Sequence, residues 1–94
     1  MQTILASEIK GLIGRINIID IRDNYIYKIG NIPSSKNVPY GFLITNPEDY
    51  LDRDKTYYIY CSVGVNSTKA CNILKRLGYK VVNVFGGYHE YIGH

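Results

Sequence analysis

The stretch that decides the fold is YYIYCSVGVNSTKACNILKRLG, residues 57–78. It opens with an aromatic, β-branched run typical of a strand, and after Cys61 it turns into a short loop that contains Gly64. From Ser67 onwards the apolar residues recur at helical spacing, and Gly78 stands where a C-terminal glycine cap belongs. A strand, a tight loop and a helix in this order are typical of α/β proteins.

The segments on either side continue the alternation. Three runs predict strands, over residues 16–22, 56–60 and 80–85. Helices or helical turns are predicted over residues 7–14, 46–51, 67–77 and 88–94. Residues 23–29 fit either a short helix or a loop. The order predicts a mostly parallel central sheet with helices on both faces, in a single domain over residues 1–94.

Composition and charge narrow the classes of partner. The chain has 94 residues, of which 46% are hydrophobic and 20% charged, which is ordinary for a globular domain. The net charge is +3, but the Lys and Arg residues are scattered without a dense basic run. We therefore expect no nucleic-acid partner, whereas small anionic substrates stay open. No apolar run is long enough to cross a membrane and the N-terminus lacks a signal-peptide pattern, so we expect a cytoplasmic protein without a membrane partner.

Two cysteines are too few for a disulfide scaffold. His89 and His94 lack ligand-like spacing to the cysteines, so neither a metal site nor another cofactor is predicted. Cys71 falls within the predicted helix, where it is either a packing residue, the favoured interpretation, or a resolving thiol.

Cys61 ends a strand and precedes a tight loop and a helix N-terminus. Loop amides and the helix dipole together favour an anion at such a point, and therefore the thiolate form of a cysteine. Gly64 lets the loop curl, and Ser67 is placed to cap the helix. A buried, inert thiol at the end of a strand fits the local pattern equally well.

Three stretches together resemble the rhodanese-like sulfurtransferases. CSVGVNS, residues 61–67, is similar to their active-site loop, written C-x-x-G-x-R-S. NIIDIRDNYIYKIGNIPSSKNVPY, residues 17–40, resembles the first strand with its Asp-x-Arg and the following Gly-His-Ile-Pro-Gly-Ala and Asn-x-Pro segments. RLGYKVVNVFGGYHEY, residues 76–91, resembles the last strand and its Gly-Gly ending. The agreement in order and spacing covers about residues 4–91.

This resemblance implies a compact rhodanese fold and a persulfide chemistry. Cys61 corresponds to the cysteine that takes sulfane sulfur from a donor such as thiosulfate and passes it to a thiophilic acceptor such as cyanide or a thiol. The resemblance assigns a cradle of loop amides to Ser62, Val63, Gly64, Val65, Asn66 and Ser67. Asp20 and Arg22 correspond to the Asp-x-Arg and are interpreted as supporting the site.

The length of the loop also carries information. Four residues separate Cys61 from Asn66, whereas phosphatases related in fold use a loop one residue longer that ends in Arg. The resemblance therefore favours sulfur transfer over phosphate or arsenate chemistry.

Asn66 departs from the family pattern because Arg is usual there, and Asn31 and Tyr91 replace a usual His and Trp. Asn offers a neutral amide instead of a fixed cation, which would weaken binding of an anionic donor by about 1–3 kcal/mol. We expect thiosulfate to be a poor donor and a protein persulfide to be the physiological one. Lys69 is either a substitute charge or a surface lysine. The alternative function is a non-catalytic module that binds a partner or senses sulfide or oxidants.

Overall fold

The computed structural model describes residues 1–93, so His94, the last residue of the predicted terminal helix, lies outside the described residues. The strands are β1 (Gln2–Leu5), β2 (Asn17–Asp20), β3 (Lys36–Asn37), β4 (Thr56–Tyr60) and β5 (Lys80–Phe85). The α-helices are α1 (Asn24–Ile29), α2 (Tyr40–Thr45), α3 (Val65–Arg76) and α4 (Gly87–Ile92). Two 3-10 helices span Ala6–Leu12 and Pro47–Asp49.

The five strands form one sheet in the order β1-β5-β4-β2-β3, and every neighbouring pair is parallel. β4 is the central strand, and its last residue, Tyr60, is in register with Asp20 at the end of β2. The carboxyl ends of these two strands therefore lie side by side. In open parallel sheets this edge is where ligands bind, and Cys61 stands at its centre.

A hydrophobic cluster covers each face of the sheet. One includes Leu43 of α2 together with Ala70, Cys71 and Leu74 of α3. The other includes Ala6 and Ile9 of the first 3-10 helix, with Tyr88 and Tyr91 of α4 packed against it. The predicted α/β class, with a parallel sheet and helices on both faces, is confirmed.

Several boundaries differ from the prediction. β1 was not predicted, because its four residues are mostly exposed and gain their order by pairing with β5. α2 was not predicted either; Gly41 and its β-branched residues are weak helix formers, and burial of Leu43 supports the helix instead.

Other elements are shorter or tighter than predicted. The strand predicted over 16–22 is β2 and ends at Asp20, whose side chain turns back to the backbone N–H of Arg22. The helices predicted over 7–14 and 46–51 are the two 3-10 helices. The 23–29 segment, left open between helix and loop, contains α1.

Candidate active site

Cys61 follows β4 directly and is 4% exposed. It lines an open pocket of about 210 Å³. The pocket walls come from the ends of β2 and β4, from α1 and α2 and from the start of α3; they include Ile21, Arg22, Asp23, Ile26, Tyr40, Ser62, Val63, Val65 and Asn66. The thiol therefore lies at the base of a cleft.

Backbone amides surround the sulfur of Cys61. The N–H of Gly64 donates to Sγ at 3.1 Å and the N–H of Ser67 donates to it at 3.3 Å. The thiol itself donates to Ser67 Oγ at 3.5 Å. The curl that aims these amides inward needs the left-handed conformation of Gly64, at φ +106°. The loop thus places donors where negative charge on sulfur would be stabilised.

The predicted cradle of six loop residues is only partly engaged at the thiol. Ser62, Val63, Val65 and Asn66 donate no hydrogen bond to Sγ among the described residues. Val65 and Asn66 belong to the first turn of α3, where N–H groups have no intrahelical partner.

The prediction that Ser67 caps α3 is wrong. α3 begins at Val65 with Gly64 as its N-cap, which puts Ser67 inside the first turn. Its hydroxyl donates to the carbonyl of Gly64 at 3.3 Å, and its buried N–H serves the sulfur instead. Ser67 therefore contributes to the cradle rather than to the helix end.

The start of α4 holds the loop from the opposite side. The N–H of Tyr88 donates to the carbonyl of Cys61 at 2.8 Å, and the N–H of His89 donates to that of Ser62 at 2.9 Å. A Cβ on Gly87 would overlap the Cys61 carbonyl and lie 2.7 Å from that of Ser62. From the sequence alone, the Gly-Gly pair, residues 86–87, stands out only as part of the family resemblance. The general signal is the glycine itself, because a residue without a side chain is needed where two backbones approach closely.

Asp20 and Arg22 form a buried ion pair beside the pocket. Arg22 Nε lies 3.1 Å from both carboxylate oxygens of Asp20, and Nη2 lies 2.7 Å from Oδ2. The same Nη2 donates to the carbonyl of Gly30 at 2.7 Å, and the guanidinium stacks 4.2 Å from the centre of the Tyr88 ring. Burial lowers the pKa of Arg22, but the hydrogen bonds and charge of Asp20 outweigh it and leave the pKa above its ordinary value. The charge of Arg22 is therefore already balanced.

Asn66 is exposed and lines the pocket, and no described residue hydrogen-bonds its side chain. Lys69 lies one turn further along α3 and is also exposed. It lines a neighbouring apolar groove with Val63, Val65 and Phe85, not the pocket that contains Cys61. This placement favours the surface-lysine interpretation of Lys69.

Cys71 is fully buried in the cluster beneath α3. Burial, with a smaller electrostatic effect of Cys61, raises the pKa of the Cys71 thiol to about 12. Both cysteines are free thiols. A buried neutral thiol fits the packing interpretation better than the resolving one.

Within residues 1–93, no group of three or more His, Cys, Asp and Glu side chains is arranged to hold a metal ion. No helix in the same part of the chain has the length and apolar character needed to cross a membrane.

Comparisons with known proteins agree with this geometry. A Bacillus subtilis protein, YtwF, named as a proposed sulfurtransferase, is 34% identical over 76 residues, covering 81% of this chain and 73% of YtwF. A rhodanese-like domain protein from Staphylococcus aureus superimposes with a TM-score of 0.87 at 31% identity, covering 97% of this chain and 91% of that one. A tRNA sulfurtransferase of Thermoplasma acidophilum is 38% identical over 61 residues, which cover 65% of this chain but 12% of that protein.

The family model described as Rhodanese-like domain matches residues 5–94. With a parallel α/β sheet, a cysteine loop at its central carboxyl edge and relatives named for sulfur transfer, this chain belongs to the rhodanese-like family.

Proposed function

We propose that the protein is a sulfurtransferase that carries sulfane sulfur as a persulfide on Cys61. The observation that carries this proposal is the pair of amides, from Gly64 and Ser67, aimed at a sulfur atom that opens onto a pocket. Backbone amides held in this way are fixed donors that stabilise negative charge on the sulfur.

The chemistry proceeds in two displacements. The Cys61 thiolate attacks the outer sulfur of the donor, forms an S–S bond, and releases the rest of the donor with its bonding electron pair; thiosulfate would leave as sulfite. A thiolate acceptor then attacks the outer sulfur of the persulfide, and the Cys61 thiolate is regenerated. The N–H groups of Val65 and Asn66, in the first turn of α3, are available to the outer sulfur of the persulfide.

The charges around the pocket favour a persulfide donor over thiosulfate. Arg22 lines the pocket, but its charge is balanced by Asp20, and Asn66 supplies only a neutral amide. The thiosulfate dianion would thus enter a pocket in which no lining residue offers it an unpaired positive charge. The persulfide group of a protein or small-molecule donor in the cytoplasm carries at most one negative charge, and the exposed side chains of Val63 and Val65 at the pocket mouth suit an apolar neighbour.

A non-catalytic module that binds a partner or senses sulfide or oxidants is the second candidate. It is favoured by one observation, the absence of the usual Arg at Asn66. Such a module would keep the fold and the pocket but would not turn over sulfur. The predictions of a cytoplasmic location and of no nucleic-acid partner stay predictions.

Mass spectrometry of the intact protein separates these functions. After incubation with a low-molecular-weight persulfide, we expect a gain of one sulfur atom that is lost again when a thiol acceptor is added; with thiosulfate we expect the same gain to be slower. Cys61→Ser should take up no sulfur, while the matched Cys71→Ser should load like the native chain. Failure of every donor to add sulfur to Cys61 would favour the binding module.

A further inference from the structure

Asn83 interrupts the apolar part of β5, residues 81–85. It lies in β5 within the run KVVNVF, is 4% exposed, and stands between two buried valines. Asn is a poor strand former, and a buried amide must find partners for both of its ends. A core residue that contradicts both strand propensity and the preference for apolar side chains commonly marks a position kept for function.

Only one end of the Asn83 amide is satisfied. Nδ2 donates to Thr68 Oγ1 at 3.2 Å, whereas Oδ1 is buried and accepts no hydrogen bond from any described residue. Valine, as at the neighbouring positions, would fill this site without leaving a polar atom unpaired. The folded protein therefore tolerates the free-energy cost of a buried, unpaired oxygen at Asn83, a cost that packing alone does not require.

The orientation of this amide follows from the network around Thr68. The Thr68 hydroxyl lies 2.7 Å from the carbonyl oxygen of Gly64, which can only accept, so the hydroxyl proton is on that bond. Thr68 Oγ1 is then left as an acceptor towards Asn83. The group of Asn83 that faces it must be the NH₂, and the unpaired atom must be the oxygen.

The chain of donors leads from Asn83 to the cradle. Asn83 donates to Thr68, and Thr68 donates to the carbonyl of Gly64 through both its hydroxyl and its backbone N–H, the latter at 3.2 Å. Gly64 is the left-handed residue whose own N–H donates to Cys61 Sγ. By donating to Thr68 Oγ1, Asn83 holds the hydroxyl oxygen in place while its proton stays on the Gly64 carbonyl, and this hydroxyl helps to hold Gly64 in its left-handed conformation.

We propose that Asn83 is a positioning residue for the Cys61 cradle, acting through Thr68 and Gly64. The purpose of this role rests on the proposed function. Its test does not, because the reactivity of Cys61 towards iodoacetamide can be measured without any sulfur donor. The unpaired Oδ1 is the cost of supplying a donor to the Thr68 hydroxyl from β5, a strand whose residues do not line the pocket that contains Cys61.

The test compares the pH profile of Cys61 alkylation with the melting temperature in four variants. Asn83→Val should move the profile to higher pH and slow alkylation at pH 7 by about threefold to tenfold, the range for one lost hydrogen bond. Its melting temperature should not fall, because the unpaired oxygen is removed. Thr68→Val should move the profile at least as far, and Thr68→Ser should leave it near native. Val84→Ala, on the opposite face of the same strand, should lower the melting temperature without moving the profile.

The double variant decides whether Asn83 acts through Thr68. Asn83→Val combined with Thr68→Val should move the profile no further than Thr68→Val alone. Arg22, Asp23 and Tyr40 line the pocket with Cys61, and the Asp20 and Cys71 side chains are buried near it; all five are unchanged in every variant. Their influence therefore cancels from the comparison.

A native-like profile in Asn83→Val would overturn the proposal, and so would additive shifts in the double variant. A lower melting temperature with an unmoved profile would assign Asn83 to packing alone. If the native protein takes up no sulfur but the profiles shift as expected, the proposed function fails and the positioning role stands.

Discussion

Cys61 and Cys71 belong to the same hydrophobic cluster, yet their sulfur atoms meet different surroundings. Two backbone amides donate to the sulfur of Cys61, which faces a pocket, while no described residue hydrogen-bonds the sulfur of Cys71. Their exposed fractions, 4% and 0%, are almost equal. The difference teaches that two thiols with nearly equal exposed area can differ in the hydrogen-bond donors aimed at their sulfur and in their access to a pocket, and these are the features that favour a thiolate.

The largest expected effect is the difference in alkylation rate between the two thiols. With iodoacetamide near neutral pH, we expect Cys61 to be modified at least about a thousandfold faster, because Cys71 must wait for an opening close to global unfolding. Peptide mapping by mass spectrometry over a time course measures both rates. In Cys61→Ser, Cys71 should stay unmodified until urea is added. Earlier modification of Cys71 than of Cys61 would reverse the comparison.

The second effect comes from the backbone at the start of α4, which holds the Cys61 loop. Gly87→Ala should lower the free energy of unfolding by on the order of 3 kcal/mol, since its Cβ would overlap two carbonyls and its φ is +61°. Urea denaturation measures the loss, and Cys61 alkylation should slow in the folded variant. Gly41→Ala is the matched control: a Cβ there meets nothing within 4 Å, so this variant should be neutral or slightly stabilised. Equal stability of the two variants would disprove the close approach.

The third effect concerns the cation that usually stands at position 66 in this family and that Asn66 does not supply to the pocket. Asn66→Arg should raise thiosulfate-to-cyanide sulfur transfer by about tenfold or more, because a charge-assisted donor replaces a neutral amide at the pocket wall. Asn72→Arg places the same charge on an exposed position of α3 outside the pocket and should change little. High turnover by the native chain, with no gain in the variant, would show that the missing Arg does not limit the donor.

The fourth effect, which is absent near neutral pH, is a loss of stability at alkaline pH that originates at Cys71. Its pKa is about 12 in the folded state against 9.0 for the ordinary thiol, so between these values the unfolded chain has lost a proton that the folded chain keeps. The free energy of unfolding should therefore fall as pH rises, by up to about 1.4 kcal/mol per pH unit. Cys71→Ala should show a shallower fall in urea melts.

Tyr60 contributes to the same alkaline decline, because burial raises its pKa above the ordinary value. It is present in both proteins of the Cys71 comparison, so only the difference in slope is assigned to Cys71. Identical slopes in Cys71→Ala and the native chain would mean that the Cys71 thiol is not held protonated.

The sequence was informative where local pattern and tertiary packing agree. The β-branched runs that became β2, β4 and β5 are buried, and α3 carries its own apolar face. β1 and α2 escaped prediction because their order depends on partners distant in the chain, namely β5 for β1 and the α3 side of the core for α2. Strand pairing and helix docking of this kind leave little trace in a short window of residues.

In the candidate site, too, the features set by the local sequence could be predicted and those set by distant contacts could not. The position of Cys61 after a strand and the need for Gly64 could be predicted from spacing and backbone sterics. That α3 starts at Val65, with Ser67 serving the sulfur, depends on the left-handed turn at Gly64, which only coordinates reveal. The close approach at Gly87 and the donor from Asn83 come from segments far along the chain, so their contacts with the Cys61 loop could not be predicted from the loop itself.

The carbonyls of Cys61 and Ser62 are held by amides of Tyr88 and His89. During synthesis the chain emerges from its N-terminus, so CSVGVNS leaves the ribosome before the residues that clamp it. Until residues 88 and 89 have been added, the growing chain lacks the amides that hold the carbonyls of Cys61 and Ser62. The sulfur transfer proposed for Cys61 would therefore begin only after β5 and α4 have docked, which would link the onset of that chemistry to the completion of folding.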